Sequence, residues 1–293
     1  MAIPAAAPLD RLAALLDRFP VRAHLFHSGP LCGVSHFAAQ AGRGFLHVLR
    51  KGSMELAAPA GPGGARIVVN EPSLLLYPRA LTHTFHNAPA DGPDFTCATL
   101  DFDGAHRHPL VRALPPQLIV PLQRIDGLDA TLALLFRETD RVRCGHRLMA
   151  DRLFDVVLLQ VLRWLLDHPG EAGVDFGLIA GLADPALARV LTALHQQPGA
   201  PWSLEAMAAT AGMSRSAFAL RFKHCMEQTP ADYLADWRLG IAQAQLRKGR
   251  AVKLIADELG YANASGLSRA FTQRLGMSPR TWLMQAREPA TTS

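Results

Sequence analysis

The chain has 293 residues, of which 49% are hydrophobic and 19% charged, and a formal net charge of +5. That length and apolar content suit two domains with separate cores, and no run of 18 apolar residues exists, so no membrane-spanning helix is expected. The four cysteines, Cys32, Cys97, Cys144 and Cys225, are widely spaced without a Cys-x-x-Cys, which argues against a disulfide scaffold and a zinc finger.

The opening MAIPAAAPLDRL lacks a basic stretch and is broken by Asp10 and Arg11, so it does not read as a secretion signal. From Val34 to Asp103 short apolar runs recur between turn signals: VSHFAA, FLHVLRK, SMELAA, RIVV, SLLLYP and FTCATLDF. AGPGGA at Ala60–Ala65 reads as a loop between two of them. Several short strands at this spacing predict a small barrel or jelly roll.

The segment EPSLLLYPRALTHTFHN, with Pro78, His83 and Asn87, resembles the second half-motif of cupin barrels, and GFLHVLRKGSMEL suits the preceding hairpin. The resemblance implies a cupin-like sensing domain over 1–125. Catalytic cupins hold a metal through His-x-His, a downstream Glu and a later His. Here His47 stands alone with Leu49 where a second histidine belongs, so neither a catalytic residue nor a resident metal or cofactor is assigned. His36, His47 and His83 are the candidate effector-binding residues. Glu55 and His86 near them keep a transition-metal reading open beside hydrogen bonding to backbone or to an organic effector. Cys32, in the turn SGPLCG, and Cys97, in a predicted strand, are candidate redox sensors; a lone strand cysteine equally reads as a small buried hydrophobe.

From Gly127 to Asp167 the apolar spacing predicts two helices with Cys144-Gly145-His146 as the turn, within a connector over 126–175. The second, LFDVVLLQVLRWLL, is apolar over more than one face. It either fills a core or buries one side against a partner subunit. His168–Asp175 then reads as an interdomain linker.

The C-terminal part carries one pattern twice. Ala208 and Gly212 match Ala256 and Gly260 at an offset of 48, and Phe222, Thr229-Pro230 and Leu234 match Phe271, Ser278-Pro279 and Leu283 at 49. In each copy a small alanine lets two helices approach, a glycine turns the chain, and Ser214 or Asn263 stands where the next helix begins. From Asp184 onward there are 13 Lys/Arg against 8 Asp/Glu, so the whole formal excess lies in this third. A local positive field suits phosphate binding.

At these residues, over about 185–287, the chain resembles the DNA-binding domain of AraC/XylS-type bacterial transcription regulators, which often carry cupin-like sensor domains. The resemblance implies an α+β protein of two domains, the second all-α over 184–288, with Asp232–Arg247 as the helix linking two helix–turn–helix units. Matched positions of the first reading helix are Arg215, Ser216, Ala219 and Leu220, after the N-cap Ser214. This helix either reads thymine methyls through Ala219 and Leu220 or makes mainly phosphate contacts through Arg215, Arg221 and Lys223. Matched positions of the second are Ala264, Ser265, Ser268 and Arg269. Arg269 is the best candidate for gripping guanine, with a phosphate clamp as the other reading. The family further implies double-stranded promoter DNA and RNA polymerase as partners, a homodimer, a small-molecule or oxidant effector, and a cytoplasmic setting without membrane contact or enzymatic activity. A metal-dependent cupin enzyme with a DNA-binding tail and a thiol-based redox regulator remain the alternatives.

Overall fold

The computed structural model describes residues 9–57, 66–87, 92–104 and 107–287. Its chain divides into two compact units, Pro20–Asp175 and one that joins Phe176 onward to the segment ending at Phe19. The loop expected at 60–65 lies outside the described residues.

The first unit is a two-sheet β fold with helices. Strands β1 (Val21–Pro30), β3 (Arg43–Lys51), β6 (Ser73–Tyr77), β8 (Asp94–Phe102) and β9 (Leu118–Pro121) form one sheet in the order β1-β8-β3-β6-β9. Strands β2 (Val34–Phe37), β4 (Met54–Ala57), β5 (Arg66–Val69) and β7 (His83–His86) form the other, in the order β2-β7-β4-β5. The recorded strand pairs are antiparallel. Side chains alternate across each strand, so Phe45 and Leu49 share a face with Leu75, Tyr77, Phe95 and Cys97. That face meets Met54, Leu56 and Phe85 of the other sheet in one core. Leu46 and Val48, on the opposite face of β3, are also buried, which is why FLHVL reads as an unbroken apolar run.

Helices α3 (Leu128–Asp140) and α4 (His146–Asp167) complete this unit after the short α2 (Pro109–Ala113). Both expected connector helices form, with Gly145 in the left-handed conformation at the turn. They pack on each other, and α4 packs along β1. There Asp151 accepts a hydrogen bond from the Leu25 amide at 2.7 Å and Asp155 one from the Ala23 amide at 3.0 Å. Two carboxylates thereby satisfy amides of a strand that ends the sheet, where unpaired donors invite foreign strands.

The second unit is helical: α1 (Ala13–Arg18), then α5 (Leu178–Ala183), α6 (Pro185–Gln196), α7 (Leu204–Ala211), α8 (Arg215–Met226), α9 (Pro230–Arg247), α10 (Val252–Glu258), α11 (Ala264–Leu275) and α12 (Pro279–Arg287). The sensing domain, expected from residue 1, thus gives up its first segment. Leu15 is fully buried, Phe19 meets the Trp237 ring edge-on at 5.1 Å, and Arg18 Nε donates to the His195 carbonyl at 3.0 Å. Those apolar contacts are made in this unit.

Candidate nucleic-acid interface and sensor core

Each helix–turn–helix is built by the same local chemistry. Ser203 caps α7 and Ser214 caps α8 through their hydroxyls, and Gly212 turns between them at φ 71°. In the second unit Asn263 caps α11 and Gly260 turns at φ 73°. A side chain at Gly260 would meet the Gly199 carbonyl at 2.3 Å, so glycine is required there for space as well as for backbone angle. Thr229 caps α9 with its hydroxyl, and Ser278 accepts from the Thr281 amide.

Burial fixes which face of each reading helix looks outward. Phe218 and Phe222 of α8 and Leu267 and Phe271 of α11 are fully buried. Ser214, Arg215, Ser216, Leu220, Arg221 and Lys223 are consequently exposed, with Ala219 half-buried. On α11, Ser265 and Arg269 are exposed while Ala264 and Ser268 are half-buried. The cations divide by partner. Arg215 donates to Glu205 and Arg221 forks onto Asp184, the residue capping α6. Among the described residues Lys223 and Arg269 have no carboxylate partner, leaving both charges available to a phosphate or base. The neighbouring Arg274 is held by Asp232 and Asp236.

In the β unit the three candidate histidines do not converge. His47 and His83 face each other with their Nε2 atoms 2.9 Å apart, both buried. The Leu81 carbonyl can only accept, so His83 donates to it from Nδ1 and keeps a lone pair on Nε2. His47 therefore donates from Nε2, leaving its buried Nδ1 an acceptor without a partner among the described residues. Burial pushes the His83 pKa down to about 4 and that of His47 well below the ordinary value, His83 adding to the shift of His47. Phe37, Phe45, Tyr77 and Phe85 surround the pair, Tyr77 stacking on His83 at 3.8 Å. His36 is exposed and bonds Thr84 Oγ1 at 3.0 Å. On a strand as short as β2, Phe37 points inward and His36 must point outward, which corrects the grouping of His36 with the pair.

Cys97 lies opposite His47 on β3 and opposite His27 on β1, and burial raises its thiol pKa well above normal. Cys32 is exposed. Pro30 pairs with Asp94, so Cys32 and Cys97 are displaced by about five residues along the strands, on the order of 15 Å. A disulfide requires Cα atoms within about 7 Å, so the two cannot join within this fold.

A family model described as cupin matches residues 10–167, more than half of the chain. The chain belongs to the cupin family. A helix-turn-helix domain model matches residues 207–285, and this second domain is of the AraC type. A putative AraC-like transcription regulator of Streptomyces antibioticus is 38% identical over 173 residues, 58% of this chain and 56% of its own length. The chain thus spans about half the length of that relative. RclR of Escherichia coli strain K12, named an RCS-specific HTH-type transcriptional activator, is 26% identical over 251 residues, 83% of this chain and 85% of its own. The solved DNA-binding domain of AdpA, in complex with a target DNA, is 28% identical and covers 36% of this chain and 98% of its own, with a TM-score of 0.32.

Metal-binding cupins set the comparison for the cupin domain here. Leu49 fills one expected ligand position, and Glu55 forms an ion pair with Arg66 at 2.7 Å. Among the described residues no three His, Cys, Asp or Glu side chains are arranged to hold a metal. The described residues do not fit such a metal. Sequence reasoning missed Phe37 and Tyr77 as the walls of the histidine pair; their signal was alternation, one residue from His36 and six before His83.

Proposed function

We propose that this chain is a cytoplasmic transcription regulator that reads promoter DNA through α8 and α11 and changes that binding when its cupin domain takes up a signal. Two matching helix–turn–helix units, each with an exposed reading face and a cation lacking a carboxylate partner, carry the reading. A linking helix of 18 residues suits two readers in successive major grooves, about 34 Å apart. The regulator names of the relatives support it, as does the basic excess of the last third. In this reading Arg269 contacts a base edge and Lys223 a phosphate. Arg215 and Arg221 must leave Glu205 and Asp184 to do the same. Ser214, Ser216, Ala219, Leu220, Ala264, Ser265 and Ser268 supply the rest of the surface, and RNA polymerase is the further partner.

The signal enters at the His47–His83 pair, where a buried acceptor and a ring-lined environment favour a small ligand with a hydrogen-bond donor. Such a signal acts only as far as it binds one state of the protein better than the other. The test uses the full chain: genome-wide mapping of bound DNA, then promoter induction in wild type, in His47→Ala/His83→Ala and in Cys32→Ser/Cys97→Ser. Loss of response in the histidine variant alone supports the pair as sensor. Loss in the cysteine variant alone transfers sensing to the thiols, with exposed Cys32 as the reactive one.

A further inference from the structure

The helix–turn–helix domain contains a cavity of about 580 Å³ between its two reading units. Its floor is one face of α9, at Pro230, Leu234 and Arg238, and Tyr261 faces the first unit across it. The small side chains of Ala219, Ala235 and Ala270 leave the space unfilled. Small-molecule sites span about 300–1,000 Å³ and combine apolar walls with a few convergent polar groups, as this one does.

The polar groups are of one sign. Lys223 and Arg238 line the cavity, and no Asp or Glu does. The half-buried Arg238 spends Nε on the Pro198 carbonyl at 2.7 Å and Nη2 on the Ala200 carbonyl at 3.0 Å. Its charge meets no carboxylate among the described residues, whereas Arg274 in the same domain meets two. A partly desolvated cation without a counter-charge is costly, and an anion entering the cavity would relieve that cost. Only an anion with an apolar body also uses the walls.

We propose that this cavity binds an organic monocarboxylate, its carboxylate received by Arg238 and Lys223 and its ring-sized apolar body held against Trp202, Met207 and Tyr261. Lys223 stands on the first reading helix, so a ligand that engages it removes a phosphate contact and weakens DNA binding. That second half rests on the DNA-binding reading. By linkage, DNA then weakens the carboxylate by the same factor.

The test is calorimetry on the full chain with 4-phenylbutyrate, 4-phenylbutan-1-ol and 4-phenylbutylamine. The acid is expected to bind saturably at one site, at least about tenfold tighter than the alcohol, with the amine weakest. Ala235→Phe fills the cavity while keeping every charge and should abolish binding; Lys223→Gln should weaken the acid about tenfold. Far-UV circular dichroism and a melting curve establish that both variants fold. No saturable binding, equal binding of acid and alcohol, or unchanged binding in Ala235→Phe overturns the proposal. If the wild type binds no carboxylate yet Ala235→Phe loses transcription, the cavity receives a protein segment and the proposal is equally overturned. If the acid binds but the protein has no affinity for DNA, the site stands and the DNA-binding reading falls. If both bind without influencing each other, the coupling to Lys223 is overturned.

Discussion

Single residues decide how the outward faces of α8 and α11 work. Their cations were legible in the sequence; their partners were not, because Glu205 and Asp184 lie 10 and 37 residues from the arginines they hold. That pairing singles out Arg269. Arg269→Ala should cost on the order of 1–3 kcal/mol of DNA affinity and relax preference at one base position. Equal loss on every sequence, in a binding-site selection, would make Arg269 a phosphate contact instead. Buried histidines set a second expectation. Burial lowers His195 to about 3, beside Tyr233 Oη at 2.6 Å, and His83 to about 4. The unfolded chain binds these protons near pH 6.5, so the stability from each neutral group is complete above that value. It is lost as pH falls toward the folded values, at about 1.4 kcal/mol per pH unit per group. Urea unfolding at pH 7 and 5 should show stability falling by about 2 kcal/mol per group. A flat profile would mean that the two imidazoles are not buried neutral.

Among elements, the runs with strong apolar patterning were recognisable, and β2, β3, β4, β5, β6 and β8 fall where VSHFAA, FLHVLRK, SMELAA, RIVV, SLLLYP and FTCATLDF placed them. β1 was not legible. It carries Arg22, His24, His27 and Ser28, since an edge strand has less side-chain surface to bury, and its satisfying partners Asp151 and Asp155 lie far along the chain. Helix α1 escaped for a related reason: six residues give too short a period to read, and Phe19 finds Trp237 only in the fold. Turn glycines separate local from tertiary demands. Gly276 and Gly260 both sit at φ 73°, but space is open at Gly276 while the Gly199 backbone crowds Gly260. Gly276→Ala should cost about 1–2 kcal/mol, and Gly260→Ala distinctly more. Equal losses in thermal unfolding would remove the close backbone approach from the account. Helix α4 buries Phe154, Val157, Val161 and Leu165 but leaves Leu148, Met149, Val156 and Leu159 exposed. We propose this exposed set as the seam of a homodimer. Val156→Asp/Leu159→Arg should turn a dimer into a monomer in sedimentation; wild type that is monomeric both free and on two-site DNA would remove the seam.

At the scale of the molecule, a cupin domain and a helix–turn–helix domain divide the work. The doubled helix–turn–helix was the most legible part of the sequence, because its spacing is imposed by close helix approach and by turns that favour glycine. Sensor geometry was harder to read. A four-residue strand gives alternation too little length to say which of His36 and Phe37 points inward, and the histidine pair is assembled from two sheets. The central claim is that α8 and α11 together read one DNA site. Hydroxyl-radical and methylation-interference footprinting of the full chain on a mapped promoter tests it most directly. The account requires two interference clusters in adjacent major grooves, centred about one helical turn apart, one relaxed at a single base position in Arg269→Ala and the other weakened in Lys223→Ala. A single cluster unaffected by Arg269→Ala, or protection that follows no groove, would contradict it.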